Sequence, residues 1–165
     1  MTNSWRHHIR AVAGLLLVLA ATGRVFAACS VSSSGLAFGA YQPLTFAGKL
    51  TSTAVSSVAT VSVNCDAVSG NPGYTLKLGP SPEGNSTNPR YMVNAAGGSN
   101  MAFNIYTDPT YSTVWGDGSI GSIITHGLLN GSFNHTVYGR IPAGQNSLKA
   151  GSFTSLLTIT ITYNL

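Results

Sequence analysis

Charge is scarce in this chain: Asp, Glu, Lys and Arg make up 7% of its 165 residues, where roughly a quarter is usual for a globular protein. The excess of basic over acidic groups is concentrated at one end. Arg6, Arg10 and Arg24 precede residue 28, and beyond it Lys49, Lys77, Arg90, Arg140 and Lys149 stand against Asp66, Glu83, Asp108 and Asp117. Five against four leaves no basic patch for nucleic acid or acidic lipid. Beyond the N-terminal region no apolar run approaches the roughly 20 residues a membrane-spanning helix needs. No useful stretch shows the apolar period of an amphipathic helix. Gly-x-Ser-x-Gly, His-Glu-x-x-His and a phosphate-binding glycine loop are all absent, and the four acids are scattered through loops. An enzyme, a cofactor and a metal site are therefore not expected.

What is present begins with a targeting signal. A basic stretch, Arg6 to Arg10, leads into an apolar run from Ala11 to Ala21, followed by Val25-Phe26-Ala27 with small residues where a signal peptidase reads. The expectation is a secretory signal over residues 1–27, cleaved after Ala27, and one domain over the 138 residues 28–165. That domain carries two cysteines, Cys29 and Cys65. In an exported protein these most simply form one disulfide. Two buried thiols are one alternative. A lipidated Cys29 is the other, which Phe26-Ala27-Ala28 fits poorly. With so few charges, Ser, Thr, Asn and Gly must cover the exposed faces. Such a surface suits a protein embedded among neighbours.

Strand alternation bounded by turn residues dominates the rest. Leu36, Phe38 and Ala40 share one parity. Val55, Ala59, Val61, Val63 and Cys65 share a face of a longer strand, with Ser56, Thr60, Ser62 and Asn64 opposite. Tyr74, Leu76 and Leu78 form a short strand, as do Met101, Phe103 and Ile105. Phe133, Val137 and Ile141 repeat the period. Turns are expected at Gly70 to Gly73, Gly97-Gly98 and Gly116 to Gly118, and a long three-proline loop from Gly79 to Pro89. Six or seven short strands in one domain predict an all-β antiparallel sandwich.

The last ten residues, LLTITITYNL from Leu156 to Leu165, stand apart. Leu157, Ile159, Ile161, Tyr163 and Leu165 lie on one face and threonines on the other. No charge follows Lys149 and no Gly follows Gly151. A strand of this kind at an open sheet edge is an aggregation template that natural proteins usually blunt with Lys, Pro or a bulge. Either it sits in mid-sheet, flanked by its own chain, or a strand from another polypeptide pairs with it. In the second case backbone hydrogen bonds supply affinity and alternating side chains supply register.

Two motif regions favour the second reading. One is NIYTD, Asn104 to Asp108, followed by Val114 and the WGDG of Trp115, Gly116, Asp117 and Gly118. The other is VYGRIPAGQ, containing Tyr138, Gly139, Arg140, Ile141, Pro142, Gly144 and Gln145, followed by Gly151 and the Thr-rich strand. With Ala28-Cys29 and Cys65, these resemble the spore coat protein U domain family, which includes subunits of archaic, Csu-type chaperone–usher pili. The resemblance covers nearly all of residues 28–165. It implies an incomplete, immunoglobulin-like sandwich whose missing strand is lent first by a periplasmic pilus chaperone and then by another pilus subunit, with assembly at an outer-membrane usher. The missing strand would lie beside Leu156 to Leu165. A strand-donating subunit needs an extended segment ahead of its first cysteine, and cleavage after Ala27 leaves only Ala28. This predicts a terminal, tip-proximal or accessory subunit of a surface pilus serving adhesion and biofilm formation. A self-complete tip adhesin and a coat protein of a resting cell are the alternatives.

Individual residues carry plainer expectations. Trp115 packs on the sandwich, Asp117 caps its turn, and Arg140 pairs with Asp117 or Asp108. Tyr138 and Tyr163 are rim aromatics. His135 shares parity with Phe133 and Val137 and reads as a partly buried structural histidine rather than a metal ligand. Asn85, Asn130 and Asn134 match the glycosylation pattern, which in a bacterial exported protein is only loop composition.

Overall fold

The structure, a computed structural model, describes residues 28–47, 51–66, 73–127 and 130–163. The segment expected to be a signal peptide, Leu165 and most of the turn expected at Gly70 to Gly73 lie outside these residues. The described chain forms nine strands: β1 Ala28–Ser33, β2 Val55–Asp66, β3 Tyr74–Leu78, β4 Arg90–Asn94, β5 Asn100–Tyr106, β6 Ile124–His126, β7 Gly131–Ile141, β8 Phe153–Thr154 and β9 Ile159–Tyr163. A single 3-10 turn, Glu83–Asn85, interrupts the three-proline loop. Every strand ladder is antiparallel. One sheet has the order β1-β2-β7-β5-β4-β8 and the other β6-β3-β9. This is the expected antiparallel sandwich of the immunoglobulin-like kind.

The long hairpin-like pair β2 and β7 sets the frame. Its register runs from Val55 opposite Ile141 to Cys65 opposite Gly131. Residues directly opposite share a face, so Ala59 and Val137, Val61 and His135, and Val63 and Phe133 all turn toward the second sheet. Ser62 and Asn134, joined by a 2.7 Å hydrogen bond, turn to solvent. The alternation seen in the sequence is thus the burial pattern of the strand. Leu76, Leu78, Phe103, Trp115 and Ile141 complete a core in which each is under 5% exposed. β1 is held along the free side of β2 by six residue pairs and by the Cys29–Cys65 disulfide.

Two expected strands are redrawn. The first strand is β1, not the segment of Leu36, Phe38 and Ala40. Gly35 and Gly39 take φ of +74° and +72°, values a ladder does not accommodate, and no ladder pairing includes residues 35–44. Leu36 and Phe38 still pack on the core, against the face of Gly139. The last strand is also shorter than LLTITITYNL. β8 pairs with β4 at the edge of the larger sheet, whereas β9 pairs with β3 in the smaller one. Residues 155–158 cross between the sheets and belong to neither ladder. Thr158 O accepts from Gly79 N at 2.9 Å as the chain arrives.

Candidate functional site: an open apolar cleft between the chain's two ends

A cleft of about 1030 Å³ opens into the core between residues 33–44, from the end of β1 onward, and residues 148–157, which include β8 and lead to β9. Its floor is the core itself, including Ala59, Met92, Met101, Phe103, Trp115 and Val137. Both flanks lack ladder partners over most of their length: 35–44 on one side and 155–158 on the other. Phe38 reaches down to meet Phe103 edge-on, with ring centroids 6.1 Å apart. Leu156 stands 86% exposed at the rim. Ser155 Oγ, in the wall, is buried without a hydrogen-bond partner among the described residues, although buried hydroxyls are normally paired. Lys149 is the one charged side chain among the lining residues.

The residues expected to form a strand-accepting edge fall in different places. Leu157 and Ile159 line the cleft. Ile161 continues the same face of β9 and packs against the core. Tyr163 lies further along, opposite Tyr74 in the register, and borders a smaller hollow with His126. β9 pairs with β3 on one side only, and among the described residues no ladder joins its other side.

The two motif regions build the cleft's floor and one wall. In the WGDG region Trp115 is 1% exposed, with Nε1 donating to Leu76 O at 3.2 Å. A Cβ on Gly116 would sit 1.7 Å from Ile120 O, so only glycine lets the loop close on itself. Asp117 accepts from Ser119 N at 2.9 Å and Ile120 N at 3.1 Å, which caps the turn. Gly118 has φ +93°. In the second region, Gly139 turns toward the core, where a Cβ would meet Phe38 Cζ at 2.7 Å and Leu36 Cδ1 at 2.8 Å. Its missing side chain is what lets the flank 35–44 lie on β7. Ile141 is core, 2% exposed. Pro142 O accepts from Tyr41 Oη at 2.8 Å, pinning the end of the same flank. Gly144 has φ +80°. Gln145 accepts from Ala102 N at 2.7 Å and donates to Ala102 O at 2.9 Å, extending the edge of β5.

Arg140 does not pair with Asp108 or Asp117. Its guanidinium carbon lies 5.0 Å from the ring centre of Tyr111. Both carboxylates are turned into their own loops. Asp108 accepts from the Thr110 hydroxyl, from Thr113 N at 2.7 Å and from Ser112 N at 3.2 Å, and these bonds hold its pKa well below the ordinary carboxylate range. Hydrogen bonds from Ser119 and Ile120 lower Asp117 in the same way. An exposed ion pair is worth at most about 1 kcal/mol, so local backbone donors win. Tyr138 is half-buried on the outer face of β7, opposite Val58.

Arg90 was not singled out from the sequence and proves central. It is fully buried. Its guanidinium donates to Leu78 O at 3.1 Å, to Gly79 O at 2.9 and 3.0 Å, to Trp115 O at 2.9 Å and to Asn104 Oδ1 at 2.8 Å. Burial pulls its pKa down to about 10, partly offset by the negative charge of Asp117. The one sequence hint was a lone Arg opening an apolar strand. Among the described residues, no three His, Cys, Asp or Glu come together.

An immunoglobulin-like β-sandwich with an apolar cleft reaching down to its core is the class of protein that this fold and site define. The chain belongs to the Spore Coat Protein U domain family, whose model matches residues 15–160. Among solved structures, it is similar in fold to a chain of the CsuC–CsuE chaperone–tip adhesion subunit pre-assembly complex from archaic chaperone-usher Csu pili of Acinetobacter baumannii. The TM-score there is 0.50 at 17% identity, over 83% of this chain and 40% of that one. The chain therefore spans less than half the length of that relative. The P pilus rod subunit PapA aligns at TM-score 0.49 and 18% identity, over 82% of this chain and 99% of that one. No curated protein matches the chain.

Proposed function

We propose that this protein is a non-enzymatic structural subunit of a chaperone–usher surface pilus, and that its cleft receives a β-strand from another polypeptide. The single observation that carries the proposal is the combination of an apolar cleft reaching the core with flanks that lack ladder partners. An extended segment lying there has one free strand edge, β9, for its backbone and an apolar floor for alternate side chains. It also offers Ser155 Oγ the partner it lacks. Burying three large apolar side chains is worth about 5–9 kcal/mol before ordering costs. That is enough to decide whether a small sandwich is stable.

In this reading a periplasmic chaperone fills the cleft first, the outer-membrane usher is the assembly site, and a neighbouring subunit replaces the chaperone strand. The chain is exported and reaches the cell surface, where the pilus serves attachment and biofilm formation. A terminal or tip-proximal position follows if export cleaves after Ala27. N-terminal sequencing of the exported chain tests that position, and a mature start well upstream removes it. The acceptor reading is tested by producing residues 28–165 with and without a co-expressed pilus chaperone. Aggregation alone and a soluble binary complex with the chaperone are expected. A soluble monomer that unfolds in two-state fashion on its own overturns the proposal.

A further inference from the structure

At the disulfide end of the sandwich four rings from both sheets meet: Tyr74 on β3, His126 on β6, and Phe133 and His135 on β7. Tyr74 Oη lies 2.6 Å from His135 Nε2. The two imidazoles are 5.7 Å apart between ring centres, and His126 lies 4.1 Å from Phe133 and 5.3 Å from Tyr74. β6 is an edge strand held to β3 by only three residue pairs. The ring cluster therefore supplies much of what fastens it to the larger sheet. We propose that His126, His135 and Tyr74 form an acid-sensitive clasp between the two sheets, closed while both imidazoles are neutral and weakened when they take up protons.

Tyr74 Oη can accept from a protonated His135 Nε2, but among the described residues no anion stands against either ring to offset a second charge. From β3 the group facing the cluster is Tyr74, 2% exposed, whose own ionisation burial makes harder. Lys77 is on the opposite face of that strand. From β7 the neighbours are Phe133 and Val137, from β2 Val61 and Val63, and from β9 Tyr163. Asp66, at the end of β2, has the parity of Asn64 and turns outward. Among the described residues no carboxylate reaches the rings. Protonating both imidazoles sets two positive charges side by side in a half-buried site, which is costly. Burial first, and His126 second, lower the pKa of His135 below the ordinary 6.5. The unfolded chain then binds more protons than the folded one in the interval below 6.5. Stability is complete above that value and falls as pH drops toward the folded-state pKa. This window is separate from acid denaturation, because Asp108 and Asp117 titrate far below it. The clasp does not depend on what fills the cleft, although it fastens the sheet that carries β9.

The test uses the exported chain with labelled histidine, in complex with its partner where it is purified as one. The ring signals of His126 and His135 are followed from about pH 7.5 to 5.5, where histidine is the side chain that ordinarily titrates. Urea midpoints are read at both ends of the range for the native chain, His135→Gln and His126→Gln. The expected result is a His135 titration below its ordinary value, a midpoint that falls with acid in the native chain, and loss of most of that fall in His135→Gln. Titration of His135 at or above the ordinary value, as a carboxylate reaching the rings would cause, overturns the proposal. So does a fall with acid in His135→Gln as large as that of the native chain. If the variants do not fold, the native ring titration alone decides.

Discussion

Arg90 shows what one side chain does beneath the cleft. A buried cation without a carboxylate partner is expensive, yet here four carbonyl contacts and Asn104 surround the guanidinium. The planar fork ties together the end of β3, the start of the three-proline loop and Trp115 on the cleft floor. Arg90→Met would leave those carbonyls buried and unmatched, at about 1–3 kcal/mol for each such group. The expected outcome is a loss of about 3 kcal/mol or more, read as a fall in the chemical-denaturation midpoint. Arg90→Lys should recover little of it, because an ammonium group cannot reach three directions in one plane. The cost is independent of pH near neutrality, since a pKa of about 10 keeps the group charged there. Gly116 and Gly139 act by what they lack: one admits a carbonyl oxygen into the loop, the other admits Leu36 and Phe38 onto β7.

At the scale of the element, β9 decides the behaviour of the site. Its inward residues Ile159 and Ile161 pack against the core, while Thr160 is exposed on the opposite face. Ile159→Lys places an ammonium group at the cleft wall, where an incoming strand would have to desolvate it. The expectation is loss of chaperone capture in a pull-down, with Thr160→Lys captured nearly as well as the native chain. Normal capture of Ile159→Lys sinks the placement of the acceptor edge. The face of this strand was legible in the sequence, because period-2 alternation is the geometry of a strand. Its length was not. Residues 155–158 have the same alternation and the same β propensity, but they lie where the chain passes from the β4 edge to the β3 edge and no neighbour runs alongside.

For the molecule as a whole, two tethers oppose the open cleft. One is the frame of β2 and β7. The other is the Cys29–Cys65 bridge, which closes a separation of 36 residues and pins β1 to that frame. In the loop-entropy picture a bridge of this span is worth about 4 kcal/mol, a large share of the total stability of a domain this size. Reduction of the bridge should therefore unfold the chain, or lower its thermal midpoint steeply. Comparing melts of the purified chaperone complex with and without reductant, against the same complex carrying Cys29→Ser and Cys65→Ser, checks this.

The sequence by itself determined the all-β class and the inward faces of β2, β3, β5 and β7, and made a bridge the simplest fate of the two cysteines, which the structure joins. These rest on local rules: alternation, turn residues and the count of thiols. Tertiary structure alone decided that residues 35–44 are an unpaired flank, that two distant histidines meet one tyrosine, that Arg140 lies over Tyr111, and that Arg90 holds the floor. Each of these depends on which segments the two sheets bring together across many residues, and no spacing along the chain encodes that distance.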